Sequence, residues 1–328
     1  MSKQGGNGHI TVATSASGTE PLALIELPAR ALGPKDIRVR VRAIGVNPVD
    51  WKMRSGGPLR FAHRFVGPSG QLVVGVDFAG EVVEQGAEAD LPVGARVVGA
   101  TDFSRKQLGS YANEVVVRDD QCATLPNAVS FEDAACLPVP GATALRALEL
   151  AGLPTSGKAP DVRVLVLGAA GGVGLVTLQI ARVLGMKAAG VCSTRNTALV
   201  EKLGAASIDY TKGDALEAAA AHGPYDLILN VVGSEIYSTS RARTLLTDKG
   251  SVVLAVVRPA DVPALLFSSR VKHVLGRPFR QNLEPLVGWL ATRDLEPLIE
   301  ATFPLAEAEK AHVLSKGGKV VGKLLLLP

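Results

Sequence analysis

No uninterrupted apolar run in this chain approaches the roughly 18 residues of a membrane span, although its mean hydropathy is positive at +0.24. Charge of one sign is also missing. The 35 Lys and Arg against 31 Asp and Glu leave a formal net charge of +4, too mild and too dispersed to argue for nucleic acid. The N-terminus, Met1 to His9, is polar and glycine-rich and lacks an apolar h-region, so it reads as a loose tail and not as a signal peptide. Cysteine is scarce: Cys122, Cys136 and Cys192 are widely spaced and odd in number, which argues against a disulfide framework and for a reducing, cytoplasmic setting. The five histidines (His9, His63, His222, His273 and His312) are scattered, with no i, i+4 pair and no Cys neighbour at ligand spacing. No metal site is expected from them. Long linkers, internal repeats and low-complexity segments are absent too.

What is present fits about two globular domains: 328 residues, 47% hydrophobic and 20% charged, enough to bury large cores. The chain is organised around residues 162–193. Val162 to Leu167 is a short run rich in β-branched residues, the pattern of a strand buried on both faces. A glycine turn follows from Gly168 to Gly174, and a helix is expected from Leu175, its apolar positions Leu175, Leu178, Ile180, Ala181 and Leu184 covering one face and Gly185 ending it. Ala188 to Cys192 gives a second strand. Strand, glycine turn, helix and strand in this order form a βαβ unit whose turn suits a pyrophosphate. Gly171 and Gly172 let the backbone approach the phosphates, Gly174 lets helix and strand pack closely, and the helix N-terminus offers unpaired N–H groups and a positive dipole end.

The end of the second strand distinguishes between dinucleotides. NAD sites place an Asp or Glu there, about 20 residues past the glycines, for the ribose 2′-hydroxyl. Here the residues are Ser193-Thr194-Arg195-Asn196, with no carboxylate. Arg195 offers a guanidinium suited to a 2′-phosphate, and Ser193 and Thr194 add hydroxyls, so NADPH is the expected cofactor.

Before this unit the chain reads as short strands. Ile37, Val39 and Val41 alternate with Arg38, Arg40 and Arg42, a half-exposed antiparallel strand, and further strands are expected in 22–27, 72–83, 95–100 and 111–117. Asn47-Pro48-Val49-Asp50 is turn chemistry. Ser130 to Asp133 resembles a capping box, and the prolines at 138 and 140 are expected to interrupt that helix before it resumes at Ala144. Strands then alternate with helices: 226–232, 251–257 and 270–275 read as further strands, the last at an open sheet edge that invites pairing with a second copy. Two helical stretches follow Asn282, and an apolar strand from Val320 closes the chain by returning to the β domain. The expected class is α/β: residues 1–137 and 279–328 form a small β domain, and 138–278 a doubly wound parallel-sheet domain.

Gly45-Val-Asn-Pro-Val-Asp-Trp-Lys, Gly75-Val-Asp-Phe-Ala-Gly-Glu-Val, the turn at 138–143, Gly168-Ala-Ala-Gly-Gly-Val-Gly, Leu203-Gly-Ala-Ala-Ser-Ile-Asp-Tyr and Gly322-Lys323 occur together in this order. This pattern resembles the zinc-free medium-chain dehydrogenase/reductases of the quinone oxidoreductase-like branch, and most closely the chloroplast-envelope group, which shares the Arg195-Asn196 pair. The resemblance implies a GroES-like domain, a Rossmann domain, NADPH and a homodimer. It also implies hydride transfer to quinones or to the C=C bond of α,β-unsaturated carbonyls. Arg195 and Tyr210 would flank the 2′-phosphate, and Asn47 and Thr143 would lie near the nicotinamide. Ala170, Gly171, Gly172, Val173, Gly174, Ser193, Thr194, Val232, Gly233 and Ala255 complete the expected cofactor contacts.

Zinc relatives carry a Cys at the Asn47 turn and Gly-His-Glu where this chain has Gly75-Val76-Asp77, so metal-assisted alcohol oxidation is not expected. Several relatives also carry a tyrosine proton donor where this chain has Pro58. The chemistry would then rest on positioning, with backbone N–H groups or the Asn47 amide steadying an enolate. Asp50 is the nearest acid. It would serve as a catalytic group or, as its context favours, fix the Asn-Pro turn. Arg277 and Arg280, following the last parallel strand, are expected to hold the phosphates of a carrier such as coenzyme A. Three activities follow: an enone or enoyl-CoA reductase, an NADPH:quinone oxidoreductase, or an NADPH-binding sensor without turnover.

Overall fold

A computed structural model describes residues 9–15, 20–55 and 72–328. Its contacts divide the chain into two units, one running to Val139 and resuming at Pro278–Pro328, the other Pro140–Arg277. In chain order the first unit contains β1 (His9–Thr14), β2 (Ala23–Pro28), β3 (Asp36–Val46), α1 (Pro48–Arg54), β4 (Asp77–Gln85), β5 (Arg96–Ala100), β6 (Glu114–Arg118), β7 (Cys122–Thr124) and α2 (Phe131–Ala135). Helix α3 (Pro138–Leu150) begins in it and runs into the second unit. That unit continues with β8 (Arg163–Leu167), α4 (Gly172–Val183), β9 (Lys187–Cys192), α5 (Thr197–Lys202), β10 (Ala206–Asp209), α6 (Ala215–Ala220), β11 (Tyr225–Asn230), α7 (Thr239–Arg243), β12 (Leu246–Leu254), α8 (Val262–Phe267) and β13 (Val271–His273). The chain then returns to the first unit for α9 (Arg280–Ala291), β14 (Ile299–Pro304), α10 (Ala308–Lys316) and β15 (Lys323–Leu327).

In the first unit, alternation sets which side of the sheet is dry. Ile37, Val39 and Val41 are buried while Arg40 and Arg42 are exposed on the other face of β3. β3 pairs antiparallel with β4, β6 and β15, so the C-terminal strand does return to the β domain. The sheet order is β14-β15-β3-β4-β5-β7, with β6 added on β3. Ile37, Ile44, Val74, Phe78 and Tyr111 are among the fully buried side chains of its core, each apolar one contributing about 1.5–3 kcal/mol by leaving water.

The second unit is a six-stranded sheet, β10-β9-β8-β11-β12-β13, parallel throughout. Val164 to Leu167 are fully buried, as a strand covered on both faces requires. Strand order reverses between β8 and β11, so the crevice beyond the ends of those strands is the ligand position of this architecture.

Four local expectations differ from the structure. Helix α4 starts at Gly172, not Leu175: Gly171 is its N-cap, and the glycines themselves form the first turn. Residues 138–150 form one uninterrupted helix, because Pro138 and Pro140 fall in its first turn, where no intrahelical N–H is needed. No strand is expected between the two helical stretches, yet β14 forms there; its burial alternates between half-buried and exposed, so it carries no apolar run. β1 begins at His9, within the expected tail, and pairs with β2.

Candidate active site

The expected site residues divide between the two units. In the Pro140–Arg277 unit, Gly168 follows β8 with φ of +98°, and a Cβ there would lie 2.6 and 2.7 Å from the Val232 and Val231 side chains. A Cβ on Gly174 would meet the Gly168 carbonyl at 2.3 Å, which is the close helix–strand approach. Ala170, Gly171, Gly172 and Val173 thus lie in the turn and first helical residues at the end of β8. The 12-residue α4 leaves its first N–H groups without helical partners there. The turn fits a pyrophosphate.

Beyond β9, Ser193, Thr194 and Arg195 form a short turn, and Tyr210 is brought beside it by the Tyr210 N–H bond to the Cys192 carbonyl, 3.1 Å. Tyr210 is 51% exposed. A carboxylate that the β9 reading missed is also present. Asp209, at the end of β10, accepts from the Thr194 hydroxyl at 2.6 Å and from the Thr211 hydroxyl at 2.7 Å, with Lys212 Nζ 3.8 Å away. The Thr194 bond, ahead of the Thr211 bonds, holds its carboxyl below the usual range, so it is ionised.

Val232, Gly233 and Ala255 are gathered by one residue that sequence reasoning missed. Asn230 Oδ1 accepts the N–H groups of Val232 (3.1 Å) and Gly233 (2.9 Å), and the Asn230 carbonyl accepts that of Ala255 (2.9 Å). Its signal is a polar residue closing a buried strand run. Thr143 is buried and abuts Gly276, where a Cβ would lie 2.5 Å from its Oγ1.

In the other unit, Asn47 caps α1 and Asp50 is its third helical residue. The Asn47 N–H donates to Asp50 Oδ2 at 2.7 Å, the turn-fixing arrangement. Asn47 Nδ2 donates to Asp77 Oδ2 (2.8 Å) and to the Gly45 carbonyl (3.3 Å), and its Oδ1 accepts from Lys323 Nζ (2.7 Å). Both amide hydrogens are therefore used within the protein, and none is left for an enolate. Asn47 is 2% exposed and Asp50 fully buried.

Lys323 donates further to the Val46 carbonyl at 2.9 Å and Asp77 Oδ2 at 3.3 Å, so three oxygens surround one buried ammonium. Burial pushes the Asp77 carboxyl up, while Lys323 and Asn47 pull against it. The visible signal was a lysine inside a leucine strand and an aspartate inside an apolar one.

Asp50 leads into a second buried chain. Tyr111 Oη lies 3.2 Å from Asp50 Oδ2 and 3.0 Å from His312 Nε2, and Arg54 Nη1 lies 2.9 Å from His312 Nδ1. The donors orient themselves: arginine only donates, so Nδ1 accepts, Nε2 carries the hydrogen and donates to Tyr111, and Tyr111 donates to Asp50. Burial pushes the Asp50 carboxyl up to about 7 and the His312 imidazole down to about 3. The chain ends on Arg54, which pairs with Glu309 at 2.7 Å, so each donor and acceptor along it is held in one orientation.

The two arginines expected at a carrier phosphate belong to different units. Arg277 closes one unit and Arg280 opens α9 in the other. Arg280 donates to the Cys122 carbonyl (3.0 Å) and the Asp119 carbonyl (2.7 Å), which anchors α9 to the β7 edge. Arg270 caps the Gly250 and Thr247 carbonyls, and Lys272 the Leu150 carbonyl. These cations close open main-chain acceptors, a task that a run of charges does not reveal in sequence. Pro58 lies outside the described residues. Among the described residues, no group of three or more His, Cys, Asp or Glu is placed to hold a metal ion, and no helix is long and apolar enough to cross a membrane.

Residues 33–127 match the alcohol dehydrogenase GroES-like domain, and residues 203–326 match the zinc-binding dehydrogenase family. The chain is 28% identical to a chloroplast envelope quinone oxidoreductase homolog of Arabidopsis thaliana, over 95% of each chain. It is 29% identical to a trans-enoyl reductase of Aspergillus terreus, over 91% of this chain and 88% of that one. The quinone oxidoreductase from Coxiella burnetii superposes with a TM-score of 0.84 at 28% identity, covering 97% of this chain and 98% of that one. This chain belongs to the medium-chain dehydrogenase/reductase superfamily. As an oxidoreductase of that superfamily it has the GroES-like unit and the Rossmann sheet already described, and the crevice at the β8–β11 switch point is where such a sheet takes a nicotinamide dinucleotide.

Proposed function

We propose that this protein is an NADPH-dependent reductase that transfers hydride to the C=C bond of an α,β-unsaturated carbonyl. The observation that carries the reading is the buried Lys323 ammonium bonded to Val46, Asn47 and Asp77. A chain with its own cation among these oxygens does not suit a zinc ion there. Its chemistry then rests on orientation.

NADPH supplies the hydride when bound. The first turn of α4 would hold the pyrophosphate, and the loops gathered by Asn230 would position the nicotinamide half. Arg195, Ser193 and Tyr210 would hold the 2′-phosphate, while Asp209 stays occupied by Thr194, Thr211 and Lys212. Asn47 and Asp50 are positioning residues here, keeping the turn rigid. Main-chain N–H groups remain the donors for an enolate.

Arg280 already holds the Cys122 and Asp119 carbonyls, which disfavours a carrier-phosphate role for it, and simple enones should serve as well as enoyl thioesters. Quinone reduction is the second reading, favoured by the likeness to quinone oxidoreductases over 95% or more of the chain. A panel of NADPH or NADH with a simple enone, an enoyl-CoA and a quinone, followed at 340 nm, tests the proposal. NADPH turnover with enones, at a rate well above that with NADH, is expected. Arg195→Ala should narrow that preference, because a charge-assisted contact is worth about 1.5–3 kcal/mol. Turnover of quinone alone would move the assignment to the second reading, and binding without turnover of any acceptor would make the protein a sensor.

A further inference from the structure

The segment after β11 and the turn after β12 are joined by one buried carboxylate. Asp261 is 2% exposed. Its Oδ2 accepts from the Ser234 hydroxyl (2.8 Å) and from the Arg258 N–H (2.9 Å), and its Oδ1 accepts from the Thr239 hydroxyl (2.8 Å). Ser234 follows Gly233 directly, and Arg258 is three residues past Ala255. Above this bond set, the exposed side chains of Arg258 and Glu235 form a two-point ion pair across the same two segments. Burial alone would raise the Asp261 carboxyl, but the Arg258 N–H and the two hydroxyls outweigh it and hold it below the usual range.

The place matters as much as the bonds. β11 lies next to β8 across the switch point, and β12 next to β11. A dinucleotide with its pyrophosphate on the turn after β8 and its adenosine half toward β9 lays its other half over the ends of β11 and β12. Those ends are the segments that Asp261 ties together. Asn230 reaches Val232, Gly233 and Ala255 from the end of β11. Asp261 adds a second link between the same segments, through Ser234, Thr239 and Arg258.

We infer that Asp261 is a positioning residue for the nicotinamide half of the cofactor, acting through the 231–239 and 255–258 segments without touching the ligand. This rests on the nicotinamide-dinucleotide reading of the Rossmann unit. It predicts a split between two ligands that share the adenosine half. NADPH spans both halves of the site, and adenosine 2′,5′-bisphosphate fills one.

Calorimetric titration of the full chain with each ligand is the test. In Asp261→Ala, the Kd for NADPH should rise about tenfold or more, while that for the bisphosphate should stay within about twofold; Asp261→Asn, which keeps an acceptor oxygen, should fall between. If Asp261→Ala does not fold, Ser234→Ala with Thr239→Val removes two of the three donors and carries the same expectation. Equal weakening of both ligands would mean that Asp261 supports the unit as a whole, and unchanged NADPH affinity would mean that the segments need no clamp. Either result overturns the inference. An unmutated protein that binds neither ligand would overturn the dinucleotide reading and the inference with it.

Discussion

Asp50 and His312 are bridged by the Tyr111 hydroxyl and act on the pH dependence of stability in opposite directions. Burial raises Asp50 from 3.8 to about 7, so between those values the folded state holds a proton that the unfolded state has lost, and stability falls as pH rises. Burial, with Arg54 adding to it, lowers His312 from 6.5 to about 3; there the unfolded state holds the extra proton, and stability rises with pH. From about pH 4 to 6.5 the two slopes, each up to about 1.4 kcal/mol per pH unit, offset one another. Urea unfolding across this range should therefore be nearly flat in this pair's contribution. Asp50→Asn should lose stability on acidification below about pH 6.5, and His312→Gln should lose it as pH rises toward 7. Parallel profiles for all three proteins would contradict the coupling. Asp50 was legible as a turn residue because its partner Asn47 is three positions away, whereas Tyr111 and His312 lie 61 and 201 positions from the groups they meet.

At the level of elements, legibility followed burial. β8, β11 and β12 stand out because a strand covered on both faces must be an apolar run, and β3 because one wet face forces alternation. β14 has neither property, and its place beside β15 is fixed by a partner strand that local sequence cannot show. The same holds for Arg280, which looks like one charge in a basic stretch but in the fold ties the start of α9 to the carbonyls of Cys122 and Asp119. Arg280→Ala should lower the unfolding free energy by about 1.5–3 kcal/mol, the worth of a charge-assisted bond. It should leave the ratio of KM values for an enoyl-CoA and a simple enone unchanged. A selective rise in the thioester KM would restore the carrier-phosphate role.

For the molecule as a whole, the α/β class and the GroES-like and Rossmann units were legible because glycine turn, strand periodicity and C-terminal return agree with one another. The edge of the Rossmann sheet adds an expectation about assembly. Among the described residues β13 pairs only with β12, and Leu266, Phe267 and Leu275, close to it in the chain, are 71%, 87% and 64% exposed. Such apolar side chains along an open edge favour a two-fold dimer. Light scattering at micromolar concentration should give twice the chain mass of 34.0 kDa, and Phe267→Asp should return the monomer. A monomeric unmutated protein would contradict this. The central claim, hydride transfer to an activated double bond, is tested most directly by isotope. With NADPH carrying deuterium at C4 on one face, the saturated product of a simple enone should contain one deuterium at its β-carbon when that face is the labelled one, and none when the opposite face is labelled. Oxidation of NADPH with no deuterium in the product from either label would contradict it.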